Sequence, residues 1–221
     1  MTARGMALFT GLVLLAAISL IALAGTSAMI LQKHMANNFK RDTMALRNAE
    51  LAQSFARAWL FSRTNIERES GCIEACVLPS AIHAANEVPA RPEYESGAWW
   101  DLNGIAAGVH PETGEPLASM DNLEEPAPYW IIEELHFEPF NLEADTEVDV
   151  GVGYYRVLGR GTGGDARSVA VTEAILARPW GESLQPMPYP PDEDSDEFCQ
   201  QFVDAPQPRP TCGMRSWRQR R

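Results

Sequence analysis

No charged side chain occurs between residues 5 and 32, and 6–31 forms one apolar run with only a few hydroxyl and glycine positions in it. A bilayer core of about 30 Å needs roughly 20 helical residues, so this run can span one. A soluble core helix is rarely apolar on all sides over such a length. Three readings are open from the run alone. It is a plain single-pass anchor, or a secretory signal, or a signal cut ahead of the run. In the secretory reading Arg4 forms the basic leader, and Ala22-Leu23-Ala24 or Ser27-Ala28 provides the small-residue cleavage site. In the third reading the cut falls after Gly5, which is preceded by basic Arg4, and the mature chain begins at Met6 with the helix retained.

The residues beyond the run bear on that choice. Residues 33–68 contain neither proline nor glycine, so nothing in them stops a helix. Leu51, Phe55, Trp59 and Ile66 recur at helical spacing, while Arg41, Asp42, Arg47, Glu50 and Arg57 occupy other faces. The expectation is one stem helix over 6–70, transmembrane over 6–31 and amphipathic beyond. A helix of about 60 residues rises about 90 Å, far more than a bilayer is thick. Basic residues favour the cytoplasmic side. Arg4 and the α-amine are outnumbered by Lys33, Lys40 and Arg41, so an outward head rests on the signal type and on the cysteines rather than on charge.

The rest of the 221-residue chain is acidic and carries a formal net charge of −12. Such a surface repels nucleic acid and anionic lipid, so no direct nucleic-acid partner is expected. Six tryptophans and eight phenylalanines point to a packed core. The four cysteines are Cys72, Cys76, Cys199 and Cys212. Four cysteines allow three connectivities. Export to an oxidising compartment favours pairing, and the short loops favour Cys72 with Cys76 and Cys199 with Cys212. Their spacing, and that of the four histidines, does not match a zinc site.

Residues 71–128 are punctuated by proline and glycine, with Trp99 and Trp100 read as core under a long loop. Strands are expected over 129–138, 145–160 and 169–176, joined as an antiparallel meander with turn chemistry at 161–165. Such a sheet exposes one face and buries the other, and the Phe55–Trp59 stripe is its natural cover. Glu133 and Glu134 fall on opposite faces of a strand and form no acid–base pair. Asp145, Glu147 and Asp149 read as a solvated face. No nucleophile elbow, phosphate loop or zinc-protease motif is present, so neither an enzyme nor a cofactor is expected. Asp192, Asp194 and Asp196 begin like a calcium loop, but Glu197 replaces the required glycine and Val203 the bidentate glutamate. The tail, 179–221, ends in four arginines, Arg215, Arg218, Arg220 and Arg221. They read as a frayed end or as partners for acidic groups.

Several segments together resemble PilX-type minor pilins of the type IV pilus. In the stem these are the leader ending Arg4-Gly5, Gly25-Thr26-Ser27-Ala28-Met29, and Arg47-Asn48-Ala49-Glu50-Leu51-Ala52-Gln53. In the head, Tyr129-Trp130-Ile131-Ile132-Glu133-Glu134-Leu135 is similar to a family strand. Tyr154-Tyr155-Arg156-Val157-Leu158-Gly159-Arg160-Gly161-Thr162-Gly163-Gly164 is similar to the next strand and its turn, and 167–177 to the last. Residues 77–128 and those beyond 179 have no counterpart. The resemblance implies an α+β, pilin-like fold with leader 1–5, stem 6–70, β-rich head 71–178 and tail 179–221. It implies prepilin-peptidase cleavage after Gly5, methylation of the Met6 amine, and a periplasmic head on an inner-membrane anchor before assembly into a fibre. Thr10 stands fifth in that mature chain, where major pilins carry a glutamate that pairs with a neighbour's α-amine. A carboxylate inside a bilayer costs roughly 2.5–3.5 kcal/mol. Its absence implies a subunit at the filament tip, beside other minor pilins and an adhesin. A type II secretion pseudopilin is one alternative, and a secreted periplasmic binding domain released after Ala24 or Ala28 is another.

Overall fold

The computed structural model describes residues 3–64, 82–117, 127–140, 150–165, 167–181, 184–190, 197–203 and 210–220. The chain falls into two units, Met1–Lys40 and Arg41–Arg221. One α-helix, α1 (Ala3–Ser62), runs through both.

In the first unit α1 is long and apolar enough to cross a membrane. Phe9, Leu12, Leu15, Ile18 and Ile21 are all more than half exposed. Three hydroxyls in this stretch are satisfied within the helix. Ser19 donates to the Leu15 carbonyl at 2.8 Å, and Thr26 and Ser27 both donate to that of Leu23. Internal satisfaction of every polar group is what hydrocarbon demands of a segment. The helix begins at Ala3, ahead of the expected boundary at Met6, because Gly5 alone disfavours it, at a cost of about 1 kcal/mol.

In the second unit, α1 turns an alanine and aromatic face to a sheet. Ala45, Ala49, Ala52, Phe55, Ala56 and Trp59 are buried there, at the i, i+4, i+7 spacing of one helical face. The helix ends at Ser62, earlier than the expected 70. Arg63 explains the stop. Its amide donates to the Leu60 carbonyl at 3.4 Å, a tightened last turn, while its Nε donates to the Trp59 carbonyl at 3.3 Å. Its guanidinium also pairs with Glu112 at 2.5 Å. Ile66, the last member of the expected stripe, lies outside the described residues.

Six strands form one sheet: β1 (Ile82–His83), β2 (Ile105–Ala106), β3 (Tyr129–Pro139), β4 (Gly151–Thr162), β5 (Val169–Trp180) and β6 (Gly213–Arg220). The order is β1-β3-β4-β5-β6, with β2 also paired to β3. The expected meander is its centre, with Ile132 opposite Val157 and Val157 opposite Ala174. The sheet is mixed rather than purely antiparallel, because β1 runs parallel to β3. The architecture is thus α+β, a long N-terminal helix packed from Arg41 onward on a mixed sheet. Asp145, Glu147 and Asp149 lie outside the described residues.

Two expectations are corrected. The sheet does not leave one face to solvent. Alternation along the strands sends Trp130, Ile132, Tyr155, Val157, Ala174 and Leu176 to the helix side. It sends Ile131, Leu158 and Val171 to the opposite side, where Val88 and Trp100 cover them. Trp100 sits on the short helix α2 (Gly97–Asn103), which Ser96 caps by accepting the Trp99 amide. A punctuated loop region therefore supplies a second layer. Of the two readings of the terminal arginines, a frayed end is corrected for residues 213–220, while Arg221 lies outside the described residues. Residues 213–220 form β6, which pairs with β5 from Val171–Arg220 to Ala177–Gly213, so the sheet extends past the expected head boundary at 178.

Candidate functional site

Three features of the second unit are built by more than one element. The first is the seam between α1 and β4. Gly159, Gly161 and Gly163 alternate along β4 and the turn after it, so all three face the helix. A Cβ at Gly159 would meet the Ala49 carbonyl, one at Gly161 the main chain of Ala45 and Ala49, and one at Gly163 the Arg41 carbonyl. Glycine on the strand and alanine on the helix let the two backbones touch. The seam is pinned by polar contacts. Asn48 donates to the Thr162 carbonyl at 2.8 Å, and Gln53 to that of Val157 at 3.3 Å. Beyond the strand, Asp165 accepts the amides of Ser168 and Arg167 and pairs with Arg41 at 2.8 Å. The Ser168 amide contributes most, and these contacts together hold the Asp165 carboxyl below the usual range.

The second feature is a cluster of ions on the opposite face. Arg156 bridges Glu133 at 2.8 Å and Glu173 at 2.9 Å. Glu173 also receives Arg218 and Arg220, each at 2.5 Å, and Arg220 reaches Glu93 at 3.0 Å. The side chain of Glu173 is only 7% exposed. Burial alone would raise its pKa, but the hydrogen bonds from Arg156 and Arg220 outweigh burial and leave it lowered. Four strands and the 3₁₀ turn at Pro92–Tyr94 are tied together through this one carboxylate and its neighbours. The expected separation of Glu133 from Glu134 holds to the extent that Glu133 is committed to Arg156.

The third feature is the Cys199–Cys212 disulfide, which joins the one-turn helix α3 (Glu197–Gln200) to the start of β6 with Cα atoms 5.6 Å apart. Its neighbour Gly213 has a φ of 87°, in the left-handed region that favours glycine. Nearby, the guanidinium of Arg178 lies 3.5 Å from the Trp180 ring centre, and Arg178 donates to the Arg63 carbonyl beyond the end of α1. Phe198 stacks on Phe61 at 4.9 Å. The C-terminal segment is thereby fixed to both helix and sheet.

Of the residues singled out from sequence, Gly5 and Met6 lie in the first turns of α1, and Thr10 is exposed on the same helix. Cys199 and Cys212 are bonded to each other. Cys72 and Cys76 lie outside the described residues, as do Asp192, Asp194 and Asp196. No group of three histidine, cysteine, aspartate or glutamate side chains able to hold a metal is found among the described residues. The ion cluster is not among the sequence expectations. Its signal is present in two places: a glutamate inside the apolar strand 129–135, and arginines two apart at 218 and 220.

Compared with known proteins, the chain matches no family model, no curated protein and no solved structure. Its own geometry is therefore the guide to its function.

Proposed function

We propose that the chain is a minor pilin of the PilX type, a non-enzymatic subunit that helps prime a type IV pilus from the inner membrane and sits at or near its tip. The observation that carries this reading is α1. One helix supplies an exposed, uncharged and largely apolar segment and then, from Arg41 onward, the buried cover of a sheet. A removed signal peptide has no reason to continue without a break into the core of the domain it exports. In this reading the apolar segment holds the subunit in the membrane and later packs against equivalent helices of other subunits, exchanging lipid contacts for protein contacts. Other minor pilins and a tip adhesin are its partners, and prepilin peptidase its processing enzyme.

Mass spectrometry of the mature N-terminus tests this. The full chain, expressed with a prepilin peptidase, is expected to begin at methylated Met6, and Gly5→Trp to remain uncut. A mature chain beginning at Gly25 or Met29 sinks the proposal and supports a released periplasmic domain.

A further inference from the structure

Of the 18 lysines and arginines in the chain only two are lysines, Lys33 and Lys40. Both lie on α1 just beyond the apolar run that ends at residue 31. They stand seven residues apart, and therefore on one face of the helix, with Asn37 between them. Both are exposed, and neither has an ion-pair partner among the described residues. Arg41, the next basic residue, is engaged by Asp165. No acidic residue occurs before Asp42, so nothing within this stretch neutralises the lysines. Elsewhere in the fold arginine serves carboxylates, as at Glu133 and Glu173.

The separation of the two cations suits a headgroup layer. Polar headgroups add about 5–8 Å on each side of a hydrocarbon core of about 30 Å. Seven helical residues rise about 10 Å. The run itself is about 39 Å long as a helix. It exceeds the core, so the helix tilts and the rise along the membrane normal shortens. Helical side chains lean toward the N-terminus of their helix. Here that direction is toward the bilayer, so Lys40 reaches back to the layer that Lys33 enters first. A lysine keeps its stem on apolar surface and its compact charge among phosphates. Met35 and Phe39, elsewhere around the same turns, are 64% and 75% exposed. Apolar side chains at that spacing fit a membrane interface better than water.

Position selects the occupant. A helix that crosses a bilayer brings the phosphates of that bilayer to its own lysines. An acidic protein must instead approach a chain of net charge −12, which repels it. We propose that Lys33 and Lys40 form a seat for the phosphates of acidic phospholipids in the leaflet where the apolar run ends, and so fix the depth at which α1 leaves the bilayer. The proposal rests on α1 crossing a bilayer and not on the pilin reading.

The full chain in phosphatidylcholine vesicles tests it, with traces of spin-labelled phosphatidylglycerol or spin-labelled phosphatidylcholine as the probe. Electron spin resonance separates lipid slowed at the protein from bulk lipid. At about 0.15 M salt the labelled phosphatidylglycerol is expected to associate at least about threefold more strongly than the labelled phosphatidylcholine. At about 1 M salt, where the Debye length is about 3 Å, that preference should shrink. Lys33→Gln combined with Lys40→Gln is expected to lower the preference at least about twofold, and Lys33→Arg with Lys40→Arg to retain it. Slowed lipid without preference, or a preference that the double glutamine variant leaves untouched, overturns the proposal while the spanning helix stands. No slowed lipid of either kind shows that α1 does not cross the bilayer, and overturns both.

Discussion

The main chain of Ala45 in α1 lies so close to Gly161 in β4 that a methyl group at Gly161 would overlap the Ala45 carbonyl oxygen. Gly161→Ala therefore forces helix and strand apart. Overpacking a closed contact costs about 1–3 kcal/mol, and chemical denaturation of the full chain in detergent should show at least that loss. At Gly97 the same change meets only the end of Arg160, at an ordinary 3.6 Å, and is expected to cost no more than about 0.5 kcal/mol.

Glu173 and Arg218 make one contact but contribute unequally. Removing the acid by Glu173→Ala leaves Arg156 and Arg220 without their shared partner in a buried setting. Arg156 keeps Glu133 and Arg220 keeps Glu93, so the loss is that of charged hydrogen bonds rather than of an unpaired charge, about 1.5–3 kcal/mol. Arg218 is 62% exposed on its side chain, so Arg218→Ala should fall within about 1 kcal/mol of the parent. Denaturation midpoints of the two variants check the ranking, and equal losses would contradict it.

The same carboxylate makes the sheet edge sensitive to acid. The pKa of Glu173 lies below its ordinary value of 4.5 in the fold. A carboxylate lowered in this way stabilises the folded state above its unfolded pKa, and the contribution disappears as pH falls through the folded value. Asp165, lowered in the same direction, acts likewise at the turn beside Arg41. Protection of the β6 amides, taken relative to their intrinsic exchange rates, is expected to fall as pH drops below the ordinary carboxylate range, and Glu173→Ala should weaken that acid response.

Cys199 and Cys212 are 13 residues apart in sequence. Closing a loop of that size in the unfolded chain is worth about 3 kcal/mol. Cys199→Ser, Cys212→Ser and the double variant should lose the same amount, with faster exchange concentrated in β6. A larger loss in the double variant would show that the sulfurs do more than bond to each other.

The tip reading of Thr10 has its own test. Thr10→Glu is expected to leave cleavage after Gly5 intact and to move the subunit away from the filament end, as seen by immunogold labelling. An unchanged position would remove support for the tip assignment.

Much of this architecture is legible in the residues. Phe55 and Trp59 lie on the buried stripe because a period of 3.6 marks one helical face, and the three central strands are marked by their β-branched and aromatic runs. The helix end is not legible, because Arg63 stops α1 through contacts with Glu112 and Arg178 that are distant in sequence. Gly161 reads as turn chemistry and Gly159 as one residue of a strand, whereas both serve a close approach that only the packed helix reveals. β6 is hidden for another reason. Its polar, arginine-rich sequence has weak strand propensity, and its pairing is stabilised by Glu173 and a disulfide rather than by apolar alternation. The fold gives no meaning to Gly5, Met6 or Thr10, whose proposed roles depend on other proteins.

Chain order gives the ion cluster a consequence for synthesis. Glu133, Arg156 and Glu173 all leave the ribosome before Arg218 and Arg220. The nascent sheet therefore carries surplus negative charge at its heart until its final strand arrives. A translating head would stay loosely closed until then, and the arrival of β6 would complete it.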